Sequence, residues 1–293
     1  MGSILQKPTA LCLPIACLFD MNLPISTPIT LIFGPFDPTG SDGLPADAVT
    51  CAALGGHALA TLTAITIQDT AESESVFPCP AEQIDDQARC LLEDISVGAI
   101  KVGALNSAEA VSAVAQIAAD YSEVPLVLHL GAPEITTEQP EEEEEEEVED
   151  LVGSVLELLV PQAHVVVIEA RRLTQWITED VLEASGPTAG PQALQAIGAD
   201  WVLVTGSPQR PGHLVNILLG PDNETLTWPW VAPPERLRDS GGLIAAALAA
   251  MLAQGLDVAE AAKQACAHAE QALSQSFQPG MGRRIARRHP RAS

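Results

Sequence analysis

Five short apolar runs constrain this chain more than any other feature: ITLIFG (29–34), AIKVGAL (99–105), PLVLHL (125–130), HVVVIE (164–169) and WVLVTG (201–206). Each is six or seven residues long and nearly free of charge. That is the pattern of a strand covered on both faces, as in a parallel sheet. Helical patterns stand between the runs: GLPADAVTCAALGG (43–56), a segment opened by Pro80 and running to Leu92, SAEAVSAVAQIAADY (107–121) and LVGSVLELL (151–159). HALATLTAIT (57–66) adds a further strand pattern. HLVNILLG (213–220) and ETLTWPWV (224–231) read as a hairpin across GPDN, and two helices follow at 240–254 and 257–274. Parallel neighbours need crossover connections, and these are right-handed. The expected class is α/β: a mainly parallel central sheet between two helical layers. In such sheets ligands bind beyond the carboxyl ends of the strands. The turns after Ile32, Thr66, Gly103, His129, Ile168 and Gly206 are therefore where chemistry is sought.

Composition narrows the partners. The 293 residues carry a formal net charge of −25. Nine of the 39 acidic residues lie in EEEEEEEVED (141–150), which leaves 14 basic against 30 acidic residues elsewhere. Phosphate repulsion argues against nucleic acid as a partner. The acidic insert, 138–150, reads as a solvated loop or a helix extension, because adjacent glutamates repel one another and bury nothing. RRIARRHPRAS (283–293), within a basic tail of 277–293, reads as a frayed end rather than a nucleic-acid site. The six cysteines form no CxxC pair, which fits reduced thiols and a cytoplasmic location. ALCLPIACLF (10–19) is too short to span a bilayer; its LPIAC weakly resembles a lipoprotein cleavage box. The plainer reading is an unstructured extension over 1–28, with Met21 as a candidate start, ahead of one domain at 29–276.

Three blocks carry more specific information: FDPTGSDGLPAD (36–47), ALGGHALATLTAITIQDT (53–70) and AIKVGAL (99–105). In this order and spacing they resemble the hydroxymethylpyrimidine/phosphomethylpyrimidine kinases of thiamine biosynthesis, within the ribokinase-like superfamily. The patterns there are roughly SDPSGGAGIQAD, ALGAYGxxxxTALTAQNT and KIGML. The resemblance spans about residues 29–275 and implies the three-layer ribokinase-like fold. It also implies ATP and Mg²⁺ as cofactors and a small pyrimidine as substrate, with no membrane partner and a homodimer as the assembly.

The resemblance assigns residues too. It implies that Asp47 and Gln68 face the substrate ring and its hydroxymethyl arm, that Gly43 lets the backbone approach the ring, and that Ala104 replaces a methionine and widens the pocket. Lys101 either joins the site or pairs with a carboxylate. Thr205 and Gly206 fall on the nucleotide side. The family's GTGC or GSGC loop, which gathers charge on the transferred phosphoryl group, falls on Asp239-Ser240-Gly241-Gly242.

That loop departs from the pattern. Gly242 stands where the proton acceptor is expected and has no side chain; general-base help is typically worth about 10²–10⁴-fold. Asp239 replaces a glycine, and a carboxylate ~5 Å from a phosphate oxygen costs on the order of 3 kcal/mol per phosphate charge at an effective dielectric of ~20. Asp239 serves either as an unusual base or, with Ser240, as a helix cap. His129 replaces an aspartate of the family's LDPV strand end, and neutral imidazole is a poor Mg²⁺ ligand. Glu169 replaces the asparagine of TPN and remains able to hold the metal. Two functions follow: an ATP-dependent pyrimidine kinase with weakened activity, or a catalytically inactive pyrimidine-binding or regulatory paralogue.

Overall fold

The computed structural model describes residues 27–131, 141–182, 190–232, 237 and 240–289, with the backbone alone for 141–146. The LPIAC segment, Cys12, Cys17, Met21, residues 138–140 of the acidic insert and Asp239 lie outside the described residues.

The apolar runs do form one sheet. Its strands are β1 (Ile29–Phe36), β2 (His57–Gln68), β3 (Ser73–Pro78), β4 (Ala99–Val102), β5 (Leu126–Leu130), β6 (Val165–Glu169), β7 (Trp201–Arg210), β8 (His213–Leu219) and β9 (Thr225–Trp230). They lie in the order β3-β2-β1-β4-β5-β6-β7-β8-β9. From β2 through β1 and on to β7 every pairing is parallel; β3, β8 and β9 add antiparallel edges. The β8–β9 hairpin turns where GPDN places it, with Asp222 and Asn223 at φ 57° and 60° and Gly220 N–H donating to the Glu224 carbonyl at 2.8 Å. Asn and Asp tolerate such left-handed turns.

Helices cover both faces. One layer holds α2 (Ala81–Asp94), α3 (Ala108–Asp120), α4 (Glu141–Ser154), α5 (Ala170–Thr178) and α6 (Gly190–Ala196). Its core runs from Leu31 and Phe33 through Ile84, Val111 and Ile117 to Leu173 and Leu194. The other layer holds α1 (Gly43–Ala53), α7 (Ser240–Leu252) and α8 (Val258–Ser274). Capping follows the sequence: Ser107 accepts from Ala110 N–H and Asp257 from Glu260 N–H. This is the expected ribokinase-like three-layer arrangement.

Helix α7 is buried along all 13 of its residues. It sits between the sheet and α8, and its alanines let it approach β4, β5 and β6 closely. Close approach is also why Gly98 precedes β4: a Cβ there would stand 2.8 Å from the Ala253 carbonyl oxygen.

Two expectations change. The helix anticipated at 151–159 starts earlier, so the glutamate run joins α4 as a helical extension; residues 155–159 then widen into a π-turn, Val155–Leu159, followed by a 3₁₀ turn, Val160–Gln162. The tail is not frayed over its described length. Phe277 and Ile285 pair in an antiparallel bridge, Ile285 and Ala286 are buried, and Arg288 is only 4% exposed. Local charge density suggested solvation; the arginine instead finds a buried carboxylate. Strand β3, a polar edge segment, and helices α5 and α6 carried no pattern strong enough to anticipate.

The burial of α7 generates a prediction. Ala247, fully buried between sheet and α8, has no room for a larger side chain. Ala247→Leu should destabilise the fold by about 1–3 kcal/mol, measured by denaturant unfolding, with the slope of the transition unchanged.

Candidate active site

A cleft of about 310 Å³ opens beyond the carboxyl ends of β1, β4, β5 and β6. It is where the strand-end argument places it. Pro35 lines it from the end of β1 and Asp42 from the β1–α1 turn, Gly103 and Ala104 just past β4, His129 from β5 with Gly131 just past it, and Glu169 from β6. Helix α5 adds Arg172 and Trp176, and the C-terminal segment adds Arg283.

The β1–α1 turn is built on Asp37. Its carboxylate accepts from Thr39 N–H at 2.7 Å, Ser41 Oγ at 2.7 Å and Asp42 N–H at 3.0 Å. Burial pushes its pKa up, but the hydrogen bonds from Ser41, Gln68 and Thr39 outweigh this and hold it below the usual range. Gln68, at the end of β2, therefore reaches this turn. Gly43 closes the turn at φ +61°, where a Cβ would lie 2.3 Å from the Pro35 carbonyl oxygen. Any side chain at that position forces the turn open.

Asp47 does not line the cleft. It is fully buried beneath it, with Oδ2 2.7 Å from Lys101 Nζ and Oδ1 3.9 Å from Arg288 Nη1. Of the two readings of Lys101, pairing with a carboxylate is the one seen, although the lysine also reaches the cleft wall. Burial pushes the Asp47 pKa up against the pull of Lys101 and Arg288. Arg288 also donates to Thr50 Oγ1 at 3.1 Å and to the Ser41 carbonyl at 2.8 Å. One cluster thus ties α1, β4 and the C-terminal segment together.

The mouth of α7 meets the cleft through Ser240, whose Oγ donates to Glu169 Oε1 at 3.2 Å. Ser240, Gly241 and Gly242 form the buried first turn. Asp239 lies outside the described residues. Thr205 pairs in register with Glu169, and Gly206, at φ +68°, donates its N–H to Asn216 Oδ1 at 3.0 Å. They belong to the strand next to the cleft and are absent from its described lining. Ala104 does line the cleft, and its carbonyl accepts from Thr63 Oγ1 at 3.0 Å.

His129 projects into the cleft with its pKa lowered to about 4. Burial is the main cause; Lys101 adds to it, Asp42 and Asp47 oppose, and Arg172 lowers it further. The imidazole is neutral at pH 7 and a weak partner for a hard cation.

Among the described residues no group of three His, Cys, Asp or Glu side chains is placed to hold a metal by itself. Mg²⁺ in phosphoryl-transfer sites needs less, since it keeps waters and takes one or two carboxylates plus phosphate oxygens. Glu169, beside the N-terminus of α7, fits that single-carboxylate role; His129 does not. Among the described residues no helix is long and apolar enough to cross a membrane. The four described cysteines, Cys51, Cys79, Cys90 and Cys266, are unpaired thiols.

Sequence reasoning missed Asp37, Arg172, Trp176 and Arg288. Only Asp37 left a local signal, the Asp-x-Thr-x-Ser spacing of a side-chain-braced turn.

Comparison with known proteins completes the picture. The family described as phosphomethylpyrimidine kinase matches residues 37–286. A hydroxymethylpyrimidine/phosphomethylpyrimidine kinase of Streptomyces coelicolor is 27% identical over 263 residues, covering 88% of this chain and 93% of that protein. Among solved structures, a Bacillus subtilis pyridoxal kinase in complex with ADP superposes with a TM-score of 0.76 at 21% identity, covering 90% of this chain and 98% of the other. A phosphomethylpyrimidine kinase from Clostridium difficile gives 0.64 at 21% identity, covering 82% and 98%. At such identities the structural likeness speaks to the fold.

Two predictions come from this geometry. Lys101→Met leaves Asp47 buried against one distant guanidinium, and should cost about 3–5 kcal/mol in denaturant unfolding. His129 contributes stability that is complete above pH ~6.5 and is lost as pH falls toward about 4, because only the unfolded chain takes up the proton there. His129→Gln should flatten the stability profile between those limits by about 3 kcal/mol, read as the difference between the two proteins' unfolding curves.

Proposed function

The chain belongs to the phosphomethylpyrimidine kinase family, and on that footing we propose that it is a slow ATP-dependent kinase acting on hydroxymethylpyrimidine or its monophosphate in thiamine biosynthesis. The observation that carries this reading is the 3.2 Å contact between Ser240 and Glu169. It joins the N-terminus of α7, the place for a transferring phosphoryl group, to the strand-end cleft that would hold the acceptor.

The roles divide as follows. The first turn of α7, Ser240 to Gly242, would cradle the phosphoryl group at the positive end of the helix. Ser240 holds Glu169 in place, and Thr205 and Gly206 bound the nucleotide side. Mg²⁺ carried in with the nucleotide, and held at Glu169, neutralises phosphate charge when bound. Gln68 and the Gly43 turn orient the pyrimidine, Ala104 leaves space beside it, and Asp47 acts through Lys101. Activity is low because Gly242 offers no proton acceptor; Asp239 is the remaining candidate for that task.

A second reading has its own support. Asp47 is sealed by two cations and Gly242 lacks a side chain, which suits a protein that binds a pyrimidine and does not turn it over. Thermal-shift titration separates the two. Stabilisation by hydroxymethylpyrimidine and also by ATP with Mg²⁺ supports the kinase; stabilisation by the pyrimidine alone supports the binder.

The kinase reading makes a sharper prediction. Gly242→Cys should raise pyrimidine-dependent ADP release by about 10²-fold or more, with Gly242→Ala as the packing control and no gain. Loss of the residual turnover in Asp239→Ala assigns the base to Asp239. Absence of any pyrimidine-dependent ADP release in the wild-type protein and in Gly242→Cys rules the kinase out.

A further inference from the structure

After α8 ends at Ser274, residues Ser276 to Arg288 form a strap that is braced first against itself. Phe277 and Ile285 exchange backbone hydrogen bonds at 3.0 and 2.8 Å. Arg284 Nε donates to Ser276 Oγ at 3.0 Å, and Gln278 Nε2 to the Gly282 carbonyl at 3.1 Å. Arg287 N–H then bonds to the Ala272 carbonyl of α8 at 3.0 Å, which returns the chain to the body of the protein. A loop closed in this way holds its own shape.

This strap meets three connections at the cleft. Gly282 N–H donates to Thr70 Oγ1 at 3.2 Å and Arg283 N–H to the Thr70 carbonyl at 2.6 Å, which docks the loop on the β2–β3 turn, two residues beyond Gln68. Arg284 pairs with Leu237 in a parallel bridge; Leu237 lines the cleft and leads into α7. Arg288 donates to the Ser41 carbonyl of the β1–α1 turn at 2.8 Å. Two of these connections belong to the acceptor side of the proposed site, and the third to the mouth of α7.

The fit at Thr70 leaves no room for a side chain. A Cβ on Gly282 would lie 2.3 Å from backbone atoms of Thr70 and Ala71, whereas one on Gly280 would meet only the Thr70 side chain, at 3.0 Å. Around this contact the strap is undercut by a groove of about 530 Å³, with Thr39, Asp69, Phe277 and Met281 in its lining, and Met281 is 95% exposed. Docking therefore rests on close backbone contact rather than on a buried apolar core, and one added methyl group is enough to undo it.

We infer that the strap sets these three connections relative to one another, and that Gly282 and Arg288 are positioning residues for the site. Neither meets the ligand; each acts through the turn it holds. The consequence for ligand affinity rests on the proposed acceptor site, but the coupling of the turns does not.

Backbone amide exchange on the full chain, without ligand, tests the coupling. In Gly282→Ala the amides of 39–43, 69–72 and 240–243 should exchange at least about tenfold faster, while those of β6 keep wild-type rates. The response at 39–43 is decisive, because Arg288 and not Gly282 holds that turn. Reciprocally, Arg288→Lys should speed exchange at 69–72, and Gly280→Ala should change little. Calorimetry should show hydroxymethylpyrimidine binding weakened about tenfold in Gly282→Ala. Circular dichroism verifies that each variant is folded; should Gly282→Ala not fold, Thr70→Val, which removes one of the two docking bonds, replaces it with the same expected pattern. Faster exchange confined to the strap and 69–72, a uniform rise that includes β6, or wild-type exchange in the folded variant overturns the inference. So does coupled exchange with unchanged pyrimidine affinity. Should the wild-type protein bind no pyrimidine, the proposed function fails, and the exchange pattern alone decides for or against the strap.

Discussion

The buried cluster of Asp47, Lys101 and Arg288 is the constraint on which the rest of the cleft depends. The carboxylate and the two cations are held away from water, at side-chain exposures of 0% for Asp47, 2% for Lys101 and 3% for Arg288. Desolvating such groups costs several kcal/mol each, and that cost is offset only if the partners stay in place. The cluster therefore ties α1 to β4 and both to the C-terminal segment. Among the described residues Asp47 Oδ1 and Arg288 Nε have no hydrogen-bond partner, so the fit is looser on the side contributed by the tail. The Asp37-braced turn sits directly above, and Arg288 bonds to that turn's Ser41 carbonyl. The floor and one wall of the cleft thus share a single ionic anchor.

A second dependence runs through α7. A helix buried on every side is possible here because its residues are small, and small residues let it lie across β4, β5 and β6. That position is what presents its first turn to Glu169. The same choice limits the chemistry. Glycines at the helix mouth let the first turn pack closely, yet a glycine at 242 has no side chain to accept a proton. Packing and catalysis make different demands on that turn, and in this chain the residues satisfy packing.

Much of the architecture was legible because burial writes itself into local pattern. Runs such as HVVVIE and WVLVTG hold three or four consecutive apolar residues on both faces, as a strand covered on both sides does. Strand-end logic places the cleft where it opens, beyond the carboxyl ends of the parallel strands. The site was legible in part. Glu169, Ser240, Ala104 and Gly43 fall around the cleft or its turn. Asp47 was read as facing a ligand, but its neighbours in space are Lys101, 54 positions on, and Arg288 from the far end of the chain. The tail was read as frayed because a run of arginines looks solvated when the buried carboxylate that receives one of them is not in view.

The sequence alone determined the fold class, the mainly parallel run of central strands and the edge of the sheet where the cleft opens. These follow from periodicity and from the handedness of crossovers, both of which act over a few neighbouring residues. Tertiary structure decided which charges neutralise one another and which line the cleft. Arg288 is consumed in the floor of the cleft, whereas Arg172 and Arg283 are left at its rim. The distinction is electrostatic and spatial: an arginine's fate depends on which carboxylate folding brings within ~4 Å, and no local pattern encodes that distance.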